Sequence, residues 1–196
     1  MVTLRGFALS GKMHAGKTTA ARWLCGRLDP ERAVGALLSF KQPLADFAAA
    51  IDVRPGTDDY RRVMQALGTA LHAELPGWTA RSLERRAVEL PALARAEAEG
   101  IPLIVFVDDL RTREEAEWAR RRGLILVRLE CPLQVLRKRS PDPDTFDKRV
   151  SAWTETALDE WRGWDATVDT SGSLAATRRK LRALVSTYTG AWRWAA

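Results

Sequence analysis

The feature that most constrains this chain is a glycine-rich segment near its amino end. Residues 11–18 read GKMHAGKT, match the pattern G-x-x-x-x-G-K-[ST], and stand between an apolar run and an amphipathic helical pattern. In such a segment backbone N–H groups curl around a β-phosphate, and the following helix adds the positive end of its dipole. A turn that only joined a strand to a helix would need neither Lys17 nor the hydroxyl of Thr18. The motif therefore predicts binding of a nucleoside triphosphate with Mg²⁺.

The residues of this segment, the P-loop, have distinct predicted roles. We expect Lys17 to bridge the β- and γ-phosphates and to act in catalysis, and Thr18 to bind Mg²⁺ through its hydroxyl. The other predicted contacts with the triphosphate are Gly11, Lys12, His14, Ala15, Gly16 and Thr19.

Two neighbouring aspartates follow an apolar run that is typical of a buried strand. Asp108 and Asp109 come directly after residues 104–107. Ligands of an open parallel sheet gather at the carboxyl ends of its strands. We therefore favour Asp108 as the catalytic carboxylate on the magnesium side, which leaves Asp109 or Arg111 to face a second substrate. Alternatively, Asp109 or Thr112 caps the helix that begins near residue 112.

Apolar runs alternate with amphipathic segments along the whole chain. Strands are predicted at 4–9, 34–40, 101–107, 124–129 and 166–168, and helices at 17–28, 43–51, 58–71, 79–99, 113–122, 132–139, 148–161 and 174–188. This alternation predicts an α/β fold in which helices cover both faces of a parallel sheet. No linker, repeat or low-complexity tract divides the 196 residues, so we expect a single domain spanning 1–196.

Composition narrows the class of protein further. The two cysteines and two histidines show no zinc-ligand spacing, and the apolar runs are far shorter than the roughly 20 residues of a membrane span. The amino end lacks the apolar core of a secretory signal, so we expect a cytoplasmic protein with no membrane partner. The net charge of +6 suits phosphorylated small molecules or nucleic acid. Dispersed basic residues and the lack of a recognisable nucleic-acid motif argue against nucleic acid.

Several blocks of sequence, taken with residues 10–20, carry a family resemblance. They are FKQPL at 40–44, RRVMQALGT at 61–69, VDDLR at 107–111, WTETAL at 153–158 and VDTSGSL at 168–174. In this order, along nearly the whole chain, they resemble the phage-type deoxynucleoside monophosphate kinases of the P-loop nucleoside monophosphate kinase superfamily. The resemblance implies a three-layer P-loop kinase fold with a parallel sheet, a helical monophosphate-binding region at about 41–99 and a mobile lid at about 137–149.

The resemblance also implies an activity. Such an enzyme transfers the γ-phosphoryl group of ATP, with Mg²⁺, to a deoxynucleoside monophosphate and releases the diphosphate, in the host cytoplasm if the chain is phage-encoded. Two anions must meet in line, so cations must come from several elements. The candidates for the acceptor phosphate are Arg61 or Arg62, Arg81 or Arg85, and Arg111, and those flanking the lid are Arg137, Arg139 and Arg149. Of the lid residues, Arg137 and Arg139 are our catalytic candidates, whereas Arg81 and Arg85 could instead form helical ion pairs with nearby glutamates.

The remaining predicted contacts also follow the resemblance. On the acceptor side they are Phe40, Lys41, Gln65, Thr69, Trp78 and Glu155. Core packing is the alternative for Trp78. Thr170 is predicted to contact the base of the donor, but family members often have an asparagine there and a histidine at Trp153. A threonine loses the bidentate amide, so the donor-base preference stays open.

Three matters stay open at this level. Another small-molecule P-loop kinase, such as one acting on dephospho-coenzyme A, would share every donor-side residue and differ in residues 40–69. A nucleic-acid-associated NTPase is a second alternative, and it predicts salt-dependent binding to DNA or RNA. The tail at 192–196 carries two tryptophans and could pack on the body or on a second subunit, so a homodimer is possible.

Overall fold

Each strand is followed by one or more helices in the computed structural model, which describes residues 4–189. The strands are β1 (Arg5–Ser10), β2 (Val34–Leu38), β3 (Leu103–Leu110), β4 (Ile125–Glu130) and β5 (Ala166–Asp169). The helices are α1 (Lys17–Cys25), α2 (Gln42–Ala50), α3 (Asp58–Glu74), α4 (Trp78–Val88), α5 (Pro91–Glu99), α6 (Arg113–Arg121), α7 (Leu133–Arg139), α8 (Phe146–Val150), α9 (Trp153–Thr156) and α10 (Leu174–Thr189).

The five strands form one parallel sheet in the order β2-β3-β1-β4-β5. Because β1 is central, the P-loop leaves the sheet at the middle of its carboxyl edge. Gly6 allows β1 and β3 to approach closely, since a Cβ atom at this position would lie 1.8 Å from the carbonyl oxygen of Val105. The register of this strand pair shifts between Ala8 and Ser10, just before the P-loop.

Helices cover both faces of the sheet and bury two apolar cores. On one face α1 and α10 pack against β1, β3 and β4, with Leu24 and Leu181 among the buried side chains. On the other face α4 and α6 contribute Leu83 and Trp118, which pack with strand residues such as Val105. Strand interiors buried on both faces are what a parallel sheet requires. The predicted three-layer α/β fold with a parallel sheet is confirmed.

Two predicted helices are wrong in their extent. The single helix predicted at 79–99 is two helices, α4 and α5, because Pro91 has no N–H to donate and disfavours helical backbone in the residue before it. The helix predicted at 148–161 is broken at Ala152, whose backbone is extended with ψ 146°. This break lets Val150 pack in the first core and Leu158 in the second, which one straight helix would not achieve.

Two further expectations concern membrane-spanning helices and the carboxyl-terminal tail. Within residues 4–189, every helix is too short or too polar to cross a bilayer. The tail at 192–196 was expected to pack either on the body of the protein or on a second subunit. It lies outside the described residues.

Candidate active site

The P-loop adopts a backbone that two of its glycines make possible. Gly11 has φ 142°, and a Cβ atom there would lie 2.4 Å from the carbonyl oxygen of Leu129. Gly16 caps the amino end of α1 in the left-handed region with φ 91°. Residues that carry a side chain rarely adopt such φ values, so both positions favour glycine. The loop consequently ends with the backbone N–H groups at the start of α1 available to an anion.

The side chain of Lys17 lies against the backbone of the P-loop and is buried. Its ammonium group donates hydrogen bonds to the carbonyl oxygens of Gly11, at 2.7 Å, and Lys12, at 2.9 Å. Burial, together with the nearby charge of Arg111, lowers the pKa of Lys17 to about 7. The P-loop therefore holds a cation whose charge is costly without anionic partners, which suits the binding of phosphate oxygens.

Glu155 lies between the P-loop and the end of β3. Its Oε2 atom accepts a hydrogen bond from the backbone N–H of Met13 at 2.6 Å, and its Oε1 atom accepts one from Arg111. Lys12 donates to the backbone carbonyl of Glu155 at 2.8 Å and pairs with Asp159 at 2.6 Å. The structure thus brings together the predicted residues Lys12, Arg111 and Glu155 around one loop.

The two aspartates at the end of β3 have different surroundings. Asp109 is buried and accepts hydrogen bonds from the Ser39 hydroxyl and from the backbone N–H groups of Phe40 and Lys41. Thr112, and not Asp109, caps α6, where it forms a capping box with Glu115. Asp108 is also nearly buried, but its Oδ1 atom has no hydrogen-bond partner within residues 4–189.

The residues present fit a Mg²⁺ ion that depends on the nucleotide for its other ligands. Within the described part of the chain, acidic, His and Cys side chains form no group of three or more that could hold a metal. Mg²⁺ is usually held by one or two carboxylates together with substrate phosphates and waters. The unpartnered Oδ1 atom of Asp108 and the hydroxyl of Thr18, at the start of α1, provide oxygen atoms of this kind.

A cavity of about 350 Å³ adjoins the P-loop between α1 and α10. The guanidinium of Arg178 lies 5.6 Å from the ring centroid of Trp23 on its wall, in cation–π geometry. The Nε atom of Arg178 is buried without a hydrogen-bond partner among the described residues. The cavity is lined by His14, Ala15, Gly16, Thr19, Ala20, Trp23, Arg139, Thr170, Gly172, Leu174, Thr177, Arg178 and Leu181. An aromatic ring and cations beside a phosphate-binding loop suit a nucleobase.

Two predicted residues of this region have most of their polar atoms engaged by the protein. Both the N–H and the hydroxyl of Thr170 donate to the carbonyl of Glu130, at 2.7 and 3.1 Å. Arg139 donates to the carbonyl of Thr170 at 2.7 Å and to that of Gly172 at 3.3 Å. Arg139 therefore lies on the cavity wall, and Thr170 supports that wall through its backbone.

The lid region carries the other arginines. Arg137 pairs with Asp147 at 3.0 Å and donates to the Pro143 carbonyl, so its contacts lie within the lid. Arg149 of α8 lies near the P-loop: burial lowers the pKa of His14, and the charge of Arg149 lowers it further. Arg149 is thus a lid arginine whose charge acts on a residue of the P-loop.

Many of the predicted acceptor residues lie on α3 and α4 or just before α2. On α3, Arg61 pairs with Asp58 at 3.0 Å and Arg62 pairs with Asp59, all at exposed positions. Gln65 and Thr69 are exposed on the same helix. As the alternative had it, Arg85 forms an exposed ion pair with Glu89 at 2.9 Å. Arg81 instead donates to the backbone carbonyl of Pro76.

The aromatic residues predicted on the acceptor side are mainly packed. Phe40 is buried against Trp118 with ring centroids 5.6 Å apart, and Lys41 beside it is exposed. Trp78 is buried against His72, whose ring also meets that of Trp153, at 5.1 Å. Trp153 is 46% exposed, so it offers the accessible aromatic surface of this cluster.

Sequence reasoning missed two residues that line the cavity, Trp23 and Arg178. Arg149 had been noted as one of the arginines that flank the lid. Trp23 and Arg178 lie one helical turn or more inside α1 and α10 and carry no motif. The signal that could have found them is their helical spacing from the P-loop and from the turn after β5.

Fold and site together define a protein with a P-loop at the carboxyl edge of the parallel sheet in a three-layer α/β fold. No protein-family model and no curated protein matches the chain. Solved structures do match. TT1252 from Thermus thermophilus has a TM-score of 0.57 and 17% identity, and the match covers 95% of this chain and 99% of that one. The tunicamycin resistance protein of Deinococcus radiodurans has a TM-score of 0.51 and 20% identity, over 98% and 99%.

A gluconokinase from Sinorhizobium meliloti 1021 matches at a TM-score of 0.47 and 16% identity, over 97% of this chain and 96% of that one. At these levels of identity, the likeness to TT1252 and to the Deinococcus protein shows the fold.

Proposed function

We propose that the protein transfers the γ-phosphoryl group of ATP, with Mg²⁺, to a deoxynucleoside monophosphate. The observation that carries this proposal is the position of Arg111. This arginine stands at the end of β3, close enough for its charge to lower the pKa of the P-loop lysine, Lys17. The ammonium group of Lys17 suits the phosphates of the donor, and the guanidinium of Arg111 suits a second anion. Two phosphate groups brought together by such cations are what phosphoryl transfer requires.

The donor side is built from the P-loop and the cavity beside it. The N–H groups at the start of α1 and the Lys17 ammonium hold the phosphates, while Trp23 and Arg178 contact the base. Thr18 and Asp108 would hold Mg²⁺, which would supply positive charge beside the phosphates of the donor. Arg149 of the lid lies near the P-loop and adds positive charge where the phosphoryl group moves.

The acceptor side lies at the carboxyl ends of β2 and β3. Arg111 binds the acceptor phosphate, with Lys41 beside it, and Asp109 fixes the turn at 39–41 that carries this lysine. Gln65, Arg61 and Thr69, which are exposed on α3, contact the nucleoside in this proposal. The resemblance of residues 61–69 and 107–111 to the deoxynucleoside monophosphate kinases supports this choice of acceptor.

The test is ADP release from Mg²⁺-ATP with each of dAMP, dCMP, dGMP and dTMP, their ribose counterparts and dephospho-coenzyme A. We expect turnover with at least one deoxynucleotide, and we expect Lys17→Ala and Arg111→Ala to abolish it. Arg85→Ala is the matched control, because Arg85 is exposed and pairs with Glu89, four residues further along. Turnover with dephospho-coenzyme A alone, or hydrolysis stimulated by DNA or RNA alone, would contradict the proposal.

A further inference from the structure

A single carboxylate connects the P-loop to the arginine that the proposed function assigns to the acceptor. Oε2 of Glu155 accepts the hydrogen bond of the Met13 N–H at 2.6 Å, while Oε1 accepts one from Nη1 of Arg111. The two oxygens belong to one planar group, so they cannot move independently. A displacement of Arg111 is therefore transmitted to the backbone of the P-loop, and the reverse also holds.

Burial makes this connection strong. The side chain of Glu155 is 6% exposed and that of Arg111 is 29% exposed. Hydrogen bonds between ionised groups are stronger than neutral ones, and removing one partner leaves a buried charge without compensation. The carboxylate consequently holds both partners tightly, where an exposed ion pair would contribute little.

The backbone of Glu155 is attached to the same loop by a second route. Lys12, the residue before Met13, donates to the Glu155 carbonyl at 2.8 Å and pairs with Asp159 at 2.6 Å. The short helix α9 is thus fixed to the P-loop at two consecutive residues. Because of this attachment, α9 follows the P-loop, and it carries the carboxylate that orients Arg111.

The guanidinium of Arg111 keeps donors for a ligand. An arginine has five N–H donors in a planar fork, and the bond to Glu155 is made through Nη1. A carboxylate on one edge fixes the plane of the guanidinium and leaves another edge to face a phosphate.

From these contacts we infer that Glu155 is a positioning residue that couples the two nucleotide sites. Donor phosphates that order the P-loop fix Met13, and through Glu155 they fix Arg111 in the orientation that binds the acceptor phosphate. By thermodynamic reciprocity the acceptor strengthens binding of the donor by the same factor. This inference rests on the proposed function, since it needs two nucleotides on the two sides of Glu155.

The test compares the affinity for the acceptor with and without the donor. Titration calorimetry would measure the Kd of the fastest-reacting of the four deoxynucleoside monophosphates, alone and with saturating Mg²⁺ and the β,γ-methylene analogue of ATP. We expect the analogue to tighten acceptor binding about 10-fold in the unaltered protein, and by less than about twofold in Glu155→Gln. Gln keeps an oxygen for the Met13 N–H and removes the charge that holds Arg111.

Two further variants separate positioning from a general structural effect. Glu160→Gln is the matched control, because Glu160 is 94% exposed near the same segment, and it should keep the full coupling. Lys12→Met releases α9 from the loop and should lower the coupling without removing the carboxylate, so it serves if Glu155→Gln fails to fold.

The outcomes are distinct. Unchanged coupling in Glu155→Gln would overturn the inference, and so would unchanged coupling in Lys12→Met if the first variant does not fold. The proposed kinase activity would still stand, provided that the protein turns over a deoxynucleotide. An unaltered protein that turns over but shows no coupling would also overturn the inference. An absence of turnover with every deoxynucleotide would overturn the proposed function and the inference together.

Discussion

Asp108 and Asp109 are neighbours at the end of β3, yet one carboxylate is saturated by hydrogen bonds and the other is not. Asp109 accepts bonds from Ser39, Phe40 and Lys41, at 2.7, 2.8 and 2.9 Å. The Oδ1 atom of Asp108 is buried without a partner among residues 4–189. Successive residues of a strand point to opposite sides, which explains the difference. The pair separates a role in folding from a role in ligand binding.

Replacing Asp109 should affect stability. Asp109→Ala leaves the two N–H groups at the start of α2 and the Ser39 hydroxyl without their acceptor. We expect the free energy of unfolding to fall by about 1–3 kcal/mol, measured by urea denaturation. Asp144→Ala, at an exposed loop position, is the control and should leave the urea midpoint unchanged. An unaltered midpoint for Asp109→Ala would show that its hydrogen bonds contribute nothing net.

Replacing Asp108 should affect the metal requirement. Asp108→Asn removes a charge whose Oδ1 atom has no partner among the described residues, so we expect no loss of stability. We expect the Mg²⁺ concentration for half-maximal turnover to rise on the order of 10-fold. The measurement is a Mg²⁺ titration of turnover at fixed ATP, with Asp144→Asn as the control. A superimposable titration curve would exclude Asp108 from the metal site.

Binding of the donor should take up a proton at Lys17. Burial lowers the pKa of Lys17 to about 7, so above pH 7 this side chain is mostly neutral in the free protein. Phosphates raise that pKa, because they favour the charged form. Affinity for Mg²⁺-ATP should therefore be highest below pH 7 and fall as the pH rises, by up to about 10-fold per unit.

Calorimetry in two buffers with different ionisation enthalpies measures this proton uptake directly at pH 8. Lys17→Met should bind more weakly and show a smaller uptake. An equal uptake in both proteins would assign the proton to another group.

The cation on Trp23 should matter for the donor and not for the acceptor. Arg178→Met removes the guanidinium that lies 5.6 Å from the Trp23 ring centroid. We expect the KM for ATP to rise about fivefold or more, with the KM for the acceptor unchanged. Arg179→Met is the control, because Arg179 is the next residue on α10 and is exposed. A rise in both KM values would instead indicate a general disturbance of the fold.

The sequence predicted the parts of this molecule that depend on local pattern. The P-loop is contiguous and its glycines have a mechanical purpose, so Lys17 and Thr18 could be placed on α1 from the motif alone. The end of β3 was marked by an apolar run followed by charges, which brought Asp108, Asp109 and Arg111 to the sheet edge.

What pattern did not predict depends on contacts between distant segments. Trp23 and Arg178 meet only because α1 and α10 pack on the same face of the sheet. Glu155 was predicted as a substrate contact, and its hydrogen bonds to Met13 and Arg111 depend on where α9 lies. The break at Ala152 follows from the need to fill two separate cores, which a helical period does not reveal.

The long helix α3 differs from the rest of the molecule in how it is held. None of its 17 residues, all of them described, is buried, whereas α4 buries five of its 11. The free energy needed to lift a helix away scales with the apolar area that it buries. Displacing α3, the helix that carries Gln65 and Thr69, therefore requires little free energy. Its amide hydrogens should be among the fastest to exchange with solvent. A nucleotide bound between this helix and the sheet would slow that exchange. The exchange rate of α3 would therefore report which substrates the protein binds.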